Sequence, residues 1–235
     1  MNNVRTVSDT KRTFYTVHTR PINTIYRRVV EELMVEMHLL SVNIDFSYNP
    51  IYGLGVVTTF DRFMQGYQPE RDKESVFSAL CQAVEQDEQR YKQDAQRLGE
   101  LAKSLPVNDL IAWLSQTTHL DRDADLQAQL QAIANNPNFK YSRLFAIGLF
   151  SLLELSDPEL VKDEKQRNAA LKNIASGLHL SDEKLSKDLD LYRSNLDKIS
   201  QALVVMADML AADRKKREQR KQQSITSFAP PSSND

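Results

Sequence analysis

From Ile22 onward the apolar residues Ile22, Ile25, Val29, Leu33, Met37 and Leu40 recur at intervals of three or four. That spacing draws one stripe along a helix ending near Asn43, with Pro21 placed where it starts a helix without interrupting one. Arg27, Arg28, Glu31, Glu32 and Glu36 fall on the opposite face, which reads as solvated. A second helix is predicted from Ile51 to about Gln65, closed by Gly66 and followed by Pro69. Gly53 and Gly55 inside it each cost about 1 kcal/mol relative to alanine, so a closely approaching second helix is expected to compensate. A third, longer helix is predicted over about Arg71 to Ser104, with Phe77, Leu80, Val84, Tyr91 and Leu98 as its stripe, before Leu105-Pro106 ends it.

Further along, Asn108 reads as the cap of a short helix to Ser115 anchored by Trp113. The segment Asp121 to Asn136 is amphipathic, with acidic residues where the helix dipole favours them, and a loop follows at Asn135-Asn136-Pro137-Asn138. Phe139 to Leu155 is apolar almost all round and is expected to be the most buried helix, with Gly148 permitting a close crossing. Asp157 and Pro158 then cap and open another helix. The clearest period comes last. Leu185, Leu189, Tyr192, Leu196, Ile199, Leu203, Met206 and Leu210 alternate steps of four and three, as a coiled-coil seam does. Such a seam either packs on the protein's own helices through part of its length or pairs with a partner helix. Beyond Leu210 it meets Asp213 and Arg217, so the helix is expected to leave the body as a basic rod.

Six glycines and eight prolines in 235 residues argue against a turn-rich sheet fold, and the class expected is all-α. The domain plan is a helical body over 1–180, a long helix over 181–223 and a disordered Ser/Pro-rich tail over 224–235. The net charge of -2 conceals a division. Residues 1–30 carry six basic side chains against Asp9, and residues 214–221 carry six against Glu218, which leaves the rest of the chain at -12. An acidic body with basic ends suits an anionic surface at those ends better than a nucleic-acid groove across the whole.

The N-terminal MNNVRTVSDTKR has no apolar core of a secretory signal and is too short before the first expected helix to contain an organellar transit peptide. The longest apolar run, Leu144 to Leu153, falls below the roughly 18 residues of a spanning helix, so membrane association is expected to be peripheral. Cys81 is the single cysteine, which rules out an intramolecular disulfide and fits a reducing compartment.

Reaction chemistry is not advertised. A di-iron carboxylate bundle needs Glu-x-x-His pairs, and the residues three before His18, His38, His119 and His179 are Tyr15, Val35, Gln116 and Ser176. Gly53-Leu54-Gly55 lacks the third glycine and the preceding strand of a dinucleotide fingerprint, and no phosphate-binding GxxxxGK[ST] loop occurs. Cys81 reads as a small buried hydrophobe, and His18 and His38 either as partners of nearby carboxylates or, as isolated histidines of helical proteins usually are, as structural or surface residues. No metal, cofactor or catalytic residue is assigned.

Two features remain as candidate contact sites. Arg214, Lys215, Lys216, Arg217, Arg220 and Lys221 form the sharpest electrostatic feature. They are read either as a solvated helix end that complements the dipole or as attraction to anionic lipid headgroups at about 1 kcal/mol per basic residue, with nucleic acid a weaker third choice. The segment YNPIYGLGVVTTFDRFMQGY, Tyr48 to Tyr67, concentrates three of the glycines with aromatics and the pair Asp61-Arg62. With Tyr15, it supplies the candidate partner-binding residues Tyr15, Tyr48, Tyr52, Asp61, Arg62 and Tyr67. The alternative is that its aromatics, with Phe14, Phe60 and Phe63, fill the core.

Arg5 to Asn43 together with Tyr48 to Tyr67 resembles the thylakoid formation protein family, also described as photosystem II biogenesis factors of the Psb type. ALCQAVEQDEQRYKQDAQRL (Ala79 to Leu98) and YSRLFAIGLFSLLEL (Tyr141 to Leu155) extend the likeness, which covers residues 4–213. The resemblance implies a helical, non-enzymatic accessory factor that binds the membrane-bound FtsH proteases during photosystem II repair and thylakoid biogenesis. The alternative is a scaffold that shapes thylakoids or bridges photosystem II subunits without protease contact. With the resemblance, the expected position is peripheral on the cytoplasmic side of the thylakoid membrane with a soluble pool, and the charge division adds anionic thylakoid lipids but no nucleic acid as expected partners. The chain is similar to the cyanobacterial members. No site residue is carried over from the family.

Overall fold

A computed structural model describes residues 5–227, with the side chains of 210, 213 and 220–227 left aside. Among the described residues there are eleven helices and no strand, so the all-α expectation holds. The residues up to Ser194 form one compact unit and those from Asn195 a second.

The N-terminal helix α1 (Val7–Val17) lies ahead of the first helix expected from the sequence. Only Thr10 and Phe14 are buried along it, too few to draw an apolar stripe. It is marked instead by a capping box, in which Thr6 caps the backbone of Asp9 and Asp9 returns a bond to Thr6, worth about 1 kcal/mol. The next helix, α2 (Thr24–Ser41), starts at an Asn23 cap, two residues past the proline expected to open it. Then α3 (Pro50–Phe63) starts on Asn49, with Pro50 in the first turn, and Gly66 leaves its end at a left-handed φ of 77°.

The expected long helix over 71–104 is two helices, α4 (Arg71–Ala83) and α5 (Glu88–Ser104). Two local events break it. Glu85 takes φ of 58°, and Asp87 turns its carboxylate back onto the amide of Gln89 to cap the new helix. Apolar periodicity passes through the break because Val84 and Tyr91 are buried on either side of it. In α6 (Val107–Leu114) Pro106 stands at the cap position, and Asn108 lies inside the first turn rather than capping it. Trp113 is buried as expected.

The helix α7 (Ala124–Ala134) is capped by Asp123, and α8 (Arg143–Ser156) by Ser142, whose hydroxyl takes the amide of Phe145 at 3.1 Å. Residues 139–141, expected to be helical, precede that cap. Asp157 and Pro158 open α9 (Pro158–Lys162) as the sequence indicates, and Asp163 caps α10 (Glu164–Gly177). The last helix is α11 (Asp182–Ser227).

The core of the first unit is the crossing of α3 on α8, flanked by α5. Every residue from Leu144 to Leu153 is buried, and so is most of α3. The close approach rests on two glycines. A Cβ on Gly55 would strike the carbonyl of Leu144, and one on Gly148 the carbonyl of Ile51. The backbone cost of both is therefore recovered through dispersion contacts that a larger residue would forbid. Around this crossing, α1 packs on α2 and α4, while α10 packs on α6 and α9. Leu185, Leu189 and Tyr192 of α11 are buried in the same unit, with the Tyr192 ring 5.8 Å from that of Phe63.

In the second unit the seam residues Leu196, Ile199, Leu203 and Met206 are half-buried, and Val204, Val205 and Met209 are exposed. Of the tail expected over 224–235, residues 224–227 continue α11 as helix, and residues 228–235 lie outside the described residues.

Candidate functional site

The segment 48–67 becomes the start and length of α3, and most of its unusual composition serves packing. Tyr48, just ahead of the helix, donates to Asp94 of α5 at 2.8 Å and lies under the Arg90 guanidinium, 4.0 Å from its ring centre. Its ring meets Tyr52 and Tyr91 edge-on at 5.9 and 5.2 Å. Burial first, and then the bond to Asp94, pushes the Tyr48 phenol far above its ordinary range, so it is a fixed neutral donor. Gly53 is required here because a Cβ would run into the Tyr48 hydroxyl.

The expected partner-binding residues therefore separate. Tyr52 and Tyr67 are buried, so they support the surface from beneath and present no face to solvent. Their burial follows from packing, since Tyr67 meets the Tyr26 ring edge-on at 5.1 Å and Tyr52 lies between Tyr48 and Phe46. Arg62 points to Glu154 of α8 and ties the two central helices together, while Asp61 is exposed. Tyr15 is exposed on α1, where its hydroxyl donates to Glu31 of α2 at 2.7 Å and burial raises its pKa to about 12. These six do not form one patch.

What the sequence reading missed is a groove along one face of α2. It encloses about 1170 Å³ and is lined by α2, the segment before α8 and the first turns of α11. At one end Leu39 is more than half exposed, with Val42 and the fully exposed Ile44 just beyond it. Across the groove Tyr141 donates to Asp188 at 2.8 Å and lies beneath the Lys184 ammonium. Arg143 reaches Glu36, whose pKa is nonetheless raised because burial outweighs the paired cation. Periodicity places Glu36 among solvated residues. Only the tertiary approach of Arg143, 107 positions away, draws it inward.

The two histidines are buried structural residues, and they bond hydroxyls rather than carboxylates. His18 Nδ1 is 3.0 Å from Ser75 Oγ, and His38 Nδ1 is 2.8 Å from Thr10 Oγ1. Cys81 is fully buried and its thiol is pushed up to about 12 by desolvation, as a small core residue should be. Among the described residues no three His, Cys, Asp or Glu side chains gather as a metal site requires, and no helix is long and apolar enough to cross a membrane.

Of the basic cluster, Arg214, Lys215, Lys216 and Arg217 are exposed on α11. The side chains of Arg220 and Lys221 lie outside the described residues. A helical rise of about 1.5 Å per residue places the four described cations within about one turn. That is a compact source of positive potential on a chain whose middle, between residues 30 and 214, is acidic.

A solved structure described as Psb29 at 1.55 Å superposes with a TM-score of 0.79 at 45% identity, covering 91% of this chain and 99% of that one. Protein Thf1 of Nostoc punctiforme is 83% identical over 235 residues, the full length of both chains. Protein Thf1 of Acaryochloris marina is 58% identical over 93% of this chain and 88% of its own length. The family model described as thylakoid formation protein matches residues 6–221, and the chain belongs to that family.

Proposed function

We propose that the protein is a non-enzymatic accessory factor of photosystem II biogenesis and repair, which binds FtsH protease complexes at the thylakoid membrane and stabilises or regulates them. Its body offers a rigid helical surface to the protease. The cationic cluster at 214–221 biases it toward anionic lipid on the cytoplasmic side, in equilibrium with a soluble pool. The family match over nearly the whole chain carries this reading. The exposed cations of α11 support the lipid arm, since each basic residue near an anionic surface contributes about 1 kcal/mol.

The protease arm is tested by affinity capture from detergent-solubilised thylakoids, with FtsH subunits expected in the bound fraction. Capture of photosystem II subunits or lipid without FtsH would support the second reading, a scaffold that shapes membranes or bridges photosystem subunits. The lipid arm is tested by flotation with anionic vesicles. Binding should weaken with salt and on removal of residues 214–235, and unchanged binding after truncation rejects it.

A further inference from the structure

Each end of α1 is fastened to the body through a buried histidine. Near its start, Thr10 is fully buried and bonds His38 of α2. At its end, His18 is the C-cap residue, is 1% exposed and bonds Ser75 of α4. Between them Phe14 is wholly covered. We propose that α1 is a pH-dependent strap, docked on α2 and α4 while His18 and His38 are neutral and released when they take up protons.

The argument begins with the atoms around each ring. His18 Nε2 is buried with no hydrogen-bond partner. A neutral imidazole tolerates one bare nitrogen at modest cost, but an imidazolium must carry a proton on both nitrogens, and here the second would face no acceptor. The charged groups facing it are Arg20, which opposes a second cation, and the buried Asp72, which favours one. Asp72 pairs with Arg20 through Oδ2 at 2.9 Å and has Arg71 3.9 Å from Oδ1, so two cations share its charge, although Oδ1 itself is buried without a hydrogen-bond partner. Around His38 the charged groups are Arg5 and Asp9, and they again oppose each other. Asp9 is committed to the Thr6 cap and Arg5 to Glu85 at 2.8 Å.

The hydroxyl bonds themselves do not forbid protonation, because Thr10 and Ser75 can rotate to accept. What opposes it is burial of a charge, the leading cause that holds both imidazoles below their ordinary value. Release of α1 returns both rings to water, where an imidazole has a pKa of about 6.5. The released state therefore binds more protons, and docking is favoured above that pH and weakened as pH falls below it. Complete exclusion of protons from the docked rings gives a factor of about ten per histidine at one pH unit below the free value. The other ties of α1 to the body, Lys11 and Tyr15 to Glu31 and Arg5 to Glu85, are partly exposed and contribute little against such a factor. Release would uncover the faces of α2 and α4 on which α1 now packs. This inference is independent of the protease and lipid reading.

The test is native-state amide hydrogen exchange on the full chain at about pH 7.5 and about pH 5.5, either side of the free imidazole value and corrected for intrinsic rates. The opening equilibrium of α1 should rise by at least about tenfold at the lower pH while α3 and α8 stay protected. The double variant His18→Gln, His38→Gln keeps a hydrogen-bonding amide at both sites and should reduce that response to less than about twofold. Protection of α1 that is unchanged by pH, or that is lost in step with α3 and α8, overturns the proposal. Should the double variant fail to fold, titration of the two imidazoles by NMR in the natural chain decides: protonation coincident with α1 opening upholds the strap, and protonation with α1 still protected refutes it.

Discussion

Gly55 of α3 and Gly148 of α8 are in mutual contact at the centre of the body, each lying where the other helix's backbone passes. A Cβ built on Gly55 falls 3.0 Å from the Gly148 amide and well inside the Leu144 carbonyl. Since rigid backbone is what blocks the space, the site cannot relax by a side-chain rotation. Gly55→Ala or Gly148→Ala is expected to cost about 2–3 kcal/mol, the upper end of overpacking effects, despite alanine's better helix propensity. Because both changes push the same two helices apart, the double variant should cost less than the two singles added. Urea denaturation measures all three, and a neutral Gly55→Ala would show that the crossing is looser than described.

Arg143 and Glu36 make a second, electrostatic link of the same kind. Burial raises the pKa of Glu36, so the neutral acid is favoured in the fold relative to the unfolded chain. That contribution is present below the unfolded carboxylate range and is lost as pH rises through the raised value, where Arg143 becomes the compensating charge. Arg143→Leu should therefore cost about 2 kcal/mol at neutral pH, discounted because both groups retain some exposure. The deficit should shrink on acidification as Glu36 takes a proton. Denaturation midpoints followed across the acid range check the sign, and a pH-independent deficit would argue for lost packing alone.

The break between α4 and α5 can be tested at a single residue. Glu85 adopts φ of 58°, a region that L-residues enter at about 1–2 kcal/mol and that glycine enters freely. Glu85→Gly should be close to neutral, since relief of strain is offset by the freer unfolded chain. Glu85→Val places a β-branched side chain in that region and should lower stability by about 1–2 kcal/mol. Equal effects of both substitutions, read by thermal melting, would contradict the geometry.

Cys81 offers a reporter of global opening. With the thiol fully buried and its pKa pushed up to about 12, thiolate is scarce and inaccessible at neutral pH. A disulfide reagent should leave the native protein unmodified for hours and label it stoichiometrically in denaturant. Fast native labelling would mean that the α4 packing opens well below the global unfolding energy.

Much of this architecture was legible in the chain. The stripe of α2, the all-round apolarity of α8, the glycines that foretell a close crossing and the Asp157-Pro158 helix start all act within a few residues or through composition. The misses share a physical cause. Apolar periodicity cannot report a break whose flanks, Val84 and Tyr91, are both buried, and it passes over a helix such as α1 that buries only Thr10 and Phe14. A capping box at Thr6 and Asp9 and an Asp87 cap were the local signals that mark those helices.

Sequence alone determined the class, the central helices, the charge division and the seam of α11, because backbone propensity, apolar period and formal charge are properties of short stretches. Tertiary structure decided which side chains meet: that Tyr52 and Tyr67 lie inside, that Glu36 is drawn in by Arg143, and that His18 and His38 hold α1 through hydroxyls. The bonds that place Glu36 and the two histidines join residues 28 to 107 positions apart, and no local pattern encodes which distant groups share a desolvated space.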